Sequence, residues 1–170
     1  MNQRTLVVIK PDGVKRNLIG EIISRYEKAG LTVISLKHLR VEQDLIAEHY
    51  PEEDEYMESL GRKSEKAGDK IDNYIEQGRM IVTGLREYLS SGPVVAIVLE
   101  GEDAIQTVRK ITGYTDPAQA DKGTIRGDLG EDTILAANRE NRPVQNLIHA
   151  SGTPEEAERE IKLWFPELFN

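Results

Sequence analysis

Late in the 170-residue chain, the segment VQNLIHAS (Val144 to Ser151) places a histidine behind two apolar residues. With an unperturbed pKa of about 6.5, imidazole offers a neutral ring nitrogen near pH 7, able to attack an electrophile and then release what it has taken. His149 can therefore serve as a nucleophile, or it can be a satisfied core residue at the end of a strand. Taken alone, LIH favours the packed core, because few histidines are catalytic. Which reading holds depends on the groups the fold brings to that ring.

Composition narrows the chemistry. The chain has no cysteine, which excludes disulfides and thiolate metal sites. Its net charge of -8 argues against a surface that coats nucleic acid, because counterion release needs a basic stripe. A small anionic ligand stays open, since a few cations converging in one cleft set the local field of an acidic protein. The apolar run in MNQRTLVVIK is only four residues long, too short for a signal segment or a membrane span, so the expectation is a soluble cytoplasmic protein. The length fits a single domain, 1–170, with its own core.

The elements that would position these groups alternate along the chain. TLVVIK, from Thr5 to Lys10, is a β-rich run stopped by the turn cluster Pro11-Asp12-Gly13. Leu18, Ile19, Ile22, Ile23, Tyr26 and Ala29 recur at three- and four-residue spacing ahead of Gly30, which predicts a helix with a glycine cap. LTVISLKHLRV reads as a second strand, and residues 44–50 as a short helix. From Pro51 to about Met80 the charged composition predicts an insertion of two short helices with a turn near Ala67-Gly68-Asp69. MIVTG reads as a strand, LREYLSSG as a short helix, PVVAIVLEG as a buried strand, and Asp103 as the N-cap of the helix from Ala104 to Gly113. Residues 114–146 form a long irregular segment of the functional kind. LIH and a final helix, EEAEREIKLWF, close the chain, with Ala157, Ile161 and Trp164 or Phe165 turned inward. The order predicts an α+β protein, a ferredoxin-like βαββαβ sandwich whose antiparallel sheet is covered by helices, with inserted helical and loop segments.

Five blocks in this order, VVIKPDGVKRNLIGEII, SGPVVAIVLEG, GTIRGD, NLIHAS and AEREIKLWF, are similar to those of nucleoside diphosphate kinases. A lone KPDG would say little. Five blocks in register, with a histidine at the expected place, cover nearly all of the chain apart from two insertions, at about 51–78 and 129–144.

The resemblance implies transfer of the γ-phosphate of a nucleoside triphosphate, typically ATP, to a nucleoside diphosphate. The route is a ping-pong phosphohistidine intermediate on His149, with broad base tolerance. Phosphoryl transfer needs mainly positioning and charge stabilisation, and the resemblance assigns both. Lys10 would contact the terminal phosphate, Arg109 and Arg126 would clamp the β- and γ-phosphates, Thr115 would bond a phosphate oxygen, and Asn146 the ribose hydroxyl. A planar guanidinium suits the clamping task. Tyr50, Ser151 and Glu160 correspond to residues near the histidine, with Glu160 accepting a proton from the ring nitrogen that does not attack. Ile81 and Leu85 would form apolar walls for the base, Ile81 standing where the family has a stacking aromatic side chain. Mg2+ would travel on the phosphates without a protein cage, leaving Asp128 a structural or water-mediated role. The family builds tetramers or hexamers from dimers, so a homo-oligomer is expected, with no membrane and no specific nucleic acid as partner.

The departures leave the chemistry intact. Ala150 replaces the usual glycine after the histidine, and Gly152 the usual acidic residue after the serine. The first insertion either covers the nucleotide cleft or faces a neighbouring subunit; the second places Arg139 and Arg142 near the site as extra phosphate contacts. Two other functions compete: a nucleotide sensor that does not need His149, and an RNA-binding module. The latter would display paired aromatics on its sheet, and the chain has only two Phe and one Trp.

Overall fold

A computed structural model describes residues 2–66 and 68–169. It divides into two compact units, Met1–Arg40 with Gly92–Asn170, and Val41–Ser91.

The first unit is built on a four-stranded sheet of β1 (Asn2–Ile9), β2 (Thr32–Leu39), β3 (Val94–Glu102) and β4 (Ile148–Ala150), in the order β2-β3-β1-β4. Every neighbouring pair is antiparallel, which is the predicted ferredoxin-like plan. In chain order the helices of this unit are α1 (Pro11–Lys15) and α2 (Ile19–Lys28). The second unit supplies α3 (Gln43–His49), α4 (Asp54–Lys66) and α5 (Tyr74–Ser90). The first unit resumes with α6 (Ala104–Thr112), α7 (Ile125–Leu129), α8 (Ile134–Arg139) and α9 (Pro154–Trp164).

The central strands read as unbroken apolar runs because both faces are covered. Leu6 to Ile9 and Val94 to Leu99 are all buried. Val7, Ile9, Val95, Ile97 and Leu99 pack with Ile22 and Tyr26 of α2 and Ala104 and Val108 of α6. The hydroxyls of Tyr26 and Thr112 share a hydrogen bond at 2.8 Å that ties those two helices together. α9 packs on β1, with Ala157, Ile161 and Trp164 buried. Its start follows local chemistry: Thr153 Oγ1 accepts the Glu156 amide at 3.1 Å, Pro154 occupies the first turn, and Glu155 and Glu156 favour the positive end of the helix.

Three sequence expectations give way here. MIVTG is not a strand; Met80 to Gly84 lie inside α5, which also absorbs LREYLS. Its β-branched residues suggested a strand, but Asn73 caps the helix by accepting from Ile75 and Glu76, and burial falls on Gly78, Val82 and Leu89 at helical spacing. Propensity yields to packing. Asp103 stands at the N-cap position of α6 but in a left-handed conformation (φ 45°) and makes no capping bond with its side chain. The segment 114–146 contains α7 and α8, each started by a threonine cap, Thr124 and Thr133. The expected turn does follow α4 at Gly68; Ala67 lies outside the described residues. Among the described residues no helix is long and apolar enough to cross a membrane.

Within the second unit, α4 and α5 cross at backbone contact. A Cβ on Gly78 would stand 1.9 Å from the Met57 carbonyl oxygen, and backbone has little room to retreat. Gly78→Ala gains about 1 kcal/mol of helix propensity against an overpacking cost of the usual 1–3 kcal/mol or more. The net expectation is destabilisation by about 2 kcal/mol, read as a lower urea midpoint for loss of helical signal at unchanged slope.

Candidate active site

The site is assembled where β4 meets β1. Val8 pairs with His149 and Ile9 with Ile148, and the ladder is extended by Lys10 N donating to the Leu147 carbonyl at 2.8 Å. This register sets Lys10, at the C-terminal end of β1, opposite the residues that precede the histidine.

Just before β4 the chain turns abruptly. Ile148 N donates to the Asn146 carbonyl at 2.8 Å, closing a three-residue γ-turn on Leu147, whose φ is +70°. For a side-chain-bearing residue this conformation costs on the order of 1–3 kcal/mol. It persists because its surroundings hold it. The Leu147 side chain is fully buried, and its amide donates to Asp12 Oδ2 at 3.1 Å. Gly13 makes room: a Cβ there would lie 2.8 Å from Ile9 Cγ2 and 3.5 Å from the Leu147 carbonyl oxygen.

His149 is fixed through one ring nitrogen. Its Nε2 lies 3.0 Å from each oxygen of Glu160, a carboxylate only 1% exposed. An ionised carboxylate can only accept, so Nε2 carries the proton and Nδ1 the lone pair. Ser151 donates to Glu160 Oε2 at 2.6 Å, and the Arg159 guanidinium stands 3.8 Å from Oε1. The nucleophile expected from the sequence thus has an orienting group behind it, in the arrangement seen wherever a base is held by a third residue.

Beside this relay lies a cationic group. Lys10 is buried, and its Nζ donates to Asn146 Oδ1 at 2.8 Å. Burial, with the nearby Arg126 charge, pushes its pKa down to about 7, and Asp12 offsets part of that. Asn146, 3% exposed, also donates from Nδ2 to the Thr115 carbonyl at 3.0 Å. Arg126 donates to three backbone carbonyls: Nε to Asn146 at 3.0 Å, Nη1 to Gly113 at 3.1 Å and Nη2 to Ile148 at 2.6 Å. Its guanidinium therefore braces both sides of the Leu147 turn. Arg109, exposed in the last turn of α6, reaches the serine end of the site: a Cβ on Gly152 would be 3.6 Å from its Nη1. Lys10, Asn146, Arg126, His149, Ser151 and Glu160 are thus linked by direct bonds or by consecutive backbone.

Other expected residues sit differently. Tyr50, Ile81 and Leu85 belong to the second unit. Tyr50 ends α3, 5% exposed, with its carbonyl held by Arg86 Nε and Nη2 at 2.9 and 2.7 Å. Ile81 and Leu85 are four residues apart on α5 and so share a helix face. Thr115 is exposed and reaches the site through its carbonyl. Arg142 is paired with Asp132 at 2.5 Å and Glu140 at 2.6 Å, and Arg139 is exposed at the end of α8. Asp128 accepts from Gly123 N and from Arg25, a structural role.

Sequence reasoning took Asp12 only as part of a turn. Its bond to the Leu147 amide is a contact of 135 residues' separation, which no local pattern announces.

The profile of the family described as nucleoside diphosphate kinase matches residues 3–60 and 71–168. A nucleoside diphosphate kinase of Pyrobaculum aerophilum is 45% identical over 97% of this chain and 96% of its own. One of Mycobacterium avium is 42% identical over 98% and 99%. The crystal structure of the Pyrobaculum aerophilum NDP kinase aligns with a TM-score of 0.91 at 43% identity, covering 97% of this chain and 96% of that one. A transition-state mimic of the Borrelia burgdorferi nucleoside-diphosphate kinase, with bound vanadate and ADP, aligns at 0.82 with 35% identity, covering 96% and 87%.

The depressed pKa of Lys10 has a measurable sign. The unfolded lysine holds its proton up to about 10.5 and the folded one only to about 7, so between these values the unfolded state binds more protons and stability rises with pH. The cost of burying the charge is fully present below pH 7. Chemical denaturation from pH 6 to 10 should show Lys10→Met more stable than wild type at the acid end, with the difference vanishing toward pH 10.

Proposed function

The chain belongs to the nucleoside diphosphate kinase family, and from that premise we propose that it moves the γ-phosphoryl group of a nucleoside triphosphate to a nucleoside diphosphate through His149. The observation that carries this reading is the His149–Glu160–Ser151 relay, which leaves the reactive lone pair on Nδ1, alongside Lys10 and Arg126.

In the first half-reaction the Nδ1 lone pair attacks the γ-phosphorus. The bond from that phosphorus to the β,γ-bridging oxygen breaks, and the electron pair leaves with the nucleoside diphosphate. As positive charge develops on the ring, Glu160 stabilises the Nε2–H side, and Ser151 keeps the carboxylate aimed. In the second half a terminal oxygen of the acceptor diphosphate attacks the same phosphorus, and Nδ1 takes its electron pair back. The histidine returns unchanged, so a single site serves donor and acceptor in turn.

Lys10 supports the transfer through the charge it carries. An amino group poised near neutrality gains its full proton when a polyphosphate arrives, so its field is strongest when the anion is present. Arg109 and Arg126 supply planar donors for the remaining oxygens. Asn146, bonded to Lys10 and to the Thr115 carbonyl, takes the ribose hydroxyl by family position. Tyr50, Ile81 and Leu85 are assigned to the histidine's surroundings and to the base by family position; walls of this apolar kind read shape rather than hydrogen bonds, which supports broad base tolerance.

A divalent cation brought by the substrate needs no dedicated protein cage, and the groups near the histidine are mainly cationic. Mg2+ carried by the phosphates would supply charge neutralisation there, beside Lys10, Arg109 and Arg126. We also read the protein as a cytoplasmic homo-oligomer, a tetramer or hexamer of dimers.

The test is incubation with γ-labelled ATP and Mg2+, assay of acid-labile, alkali-stable phosphate on the protein, and a chase with GDP or CDP. Wild type should take label and lose it to either diphosphate, and His149→Ala should take none. Glu160→Gln should slow labelling by about ten- to a hundredfold, as loss of a carboxylate behind a working imidazole does elsewhere. Wild type that binds ATP without taking label would point to the nucleotide-sensor alternative.

A further inference from the structure

The inserted segment between α7 and β4 is tied off at its base by one carboxylate. Asp132 accepts from Arg142 through both oxygens, Nη1 on Oδ2 at 2.5 Å and Nη2 on Oδ1 at 3.0 Å. Its Oδ2 also accepts the Gln145 amide at 2.8 Å. The Asp132 side chain is only 14% exposed, and the bidentate fork fixes the carboxylate's orientation as well as its charge. Arg142 and the Gln145 amide together hold Asp132 well on the ionised side, with its pKa pulled down to about 2.

α8 lies inside the loop so closed and has separate anchors. Asp116 Oδ1 accepts the Ile134 amide at 3.3 Å, and Thr133 Oγ1 accepts that of Ala136 at 3.0 Å. Arg16, from the end of α1, bonds the Leu129 carbonyl and Glu131 at 2.7 and 2.8 Å. The inserted helix is thus held in place by its own ties. The bond to Gln145 serves the chain that leaves it.

The residue after Gln145 is Asn146, and after that comes the strained turn at Leu147. A turn of this kind keeps its geometry only if the backbone is held on both sides. Asp12 holds the Leu147 amide, and Asp132 holds the amide two residues earlier. We propose that Asp132 is a positioning residue for phosphoryl transfer: through the Gln145 backbone it sets Asn146, the residue read as the ribose contact, while Arg142 fixes the carboxylate. The role rests on the kinase reading for its kinetic consequence and on geometry alone for its structural one.

Two measurements on full-length protein separate these. The first is amide hydrogen exchange. Asp132→Ala should speed exchange at Gln145, Leu147 and Ile148 at least about tenfold relative to amides of β3, while Asp132→Asn, which keeps a carbonyl oxygen for the Gln145 amide, should stay close to wild type. The second is steady-state phosphorylation of a nucleoside diphosphate and of its 3′-deoxy analogue. Asp132→Ala should raise KM for the ribose acceptor about tenfold with kcat nearly unchanged, equivalent to about 1.4 kcal/mol of lost binding. Its preference for the acceptor with the hydroxyl should shrink, and Asp132→Asn should restore it. An ion pair that merely stabilises the fold would depress both acceptors equally, and that result overturns the proposal, as does unchanged exchange at residues 145–148. Failure of wild type to phosphorylate any acceptor would instead refute the kinase reading, and the exchange data would still decide whether Asp132 holds the turn.

Discussion

A carboxylate with 1% of its side chain exposed is an expensive thing to keep ionised, and Glu160 is one. It is tolerated because donors surround it: the His149 ring, the Ser151 hydroxyl and, more distantly, Arg159. Those donors come from the middle residue of the three-residue β4, from the residue just after it, and from the helix that packs across β1. Withdrawing His149 or Ser151 would remove a direct partner from a buried carboxylate, so the demand for satisfaction ties α9 to β4 and the residue that follows it. The same bonds choose the imidazole tautomer. Folding and reactivity here have a common physical cause, which is why the reactive ring can sit on so short a strand.

The second constraint is accumulated positive charge. Lys10 is desolvated, and Arg126 opposes its ionisation. Arg126 meanwhile uses Nε, Nη1 and Nη2 on the carbonyls that flank the Leu147 turn. Backbone strain and charge repulsion are therefore concentrated within a few residues of the histidine. Both are sustained by the surrounding packing and both are favourably placed for an anion, an instance of electrostatics arranged before the ligand arrives. Asp12 moderates both, since it accepts the Leu147 amide and attracts the Lys10 charge.

The sheet and its flanking helices were legible in the sequence because their signals are local and agree with the tertiary outcome. Apolar runs, Pro11-Asp12-Gly13 and the three- and four-residue spacing of α2 need no distant partner to be read. The misreadings came where local and tertiary signals conflict. Ile81, Val82 and Thr83 look like a strand until the Asn73 cap and the close approach of α4 make them helical, and Asp103 has the chemistry of a cap but not the backbone angle. In the site, the candidate residue types could be named from the motif blocks, and the structure links Lys10, Asn146, Arg126, His149, Ser151 and Glu160. The supports were not recoverable. Asp12 on Leu147, Asp132 on Gln145 and Arg86 on Tyr50 act on backbone amides or carbonyls, whose partners depend on where the chain has been brought rather than on which residues surround them in sequence.

The second unit leaves the chain after β2 and returns just before β3, and these two strands are hydrogen-bonded neighbours with Leu39 opposite Val94. Topologically it is an enlarged hairpin loop, with its entry and exit side by side. Closing such a loop costs only about 0.6 kcal/mol more for each doubling of its length, and no register in the sheet depends on what lies between. The stretch that the family profile passes over, 61–70, falls within this loop. Lengthening or shortening at that point leaves β1 and β4 untouched, so this part of the molecule is free to diverge in sequence and size while the strands that carry the histidine and lysine remain bound to one arrangement.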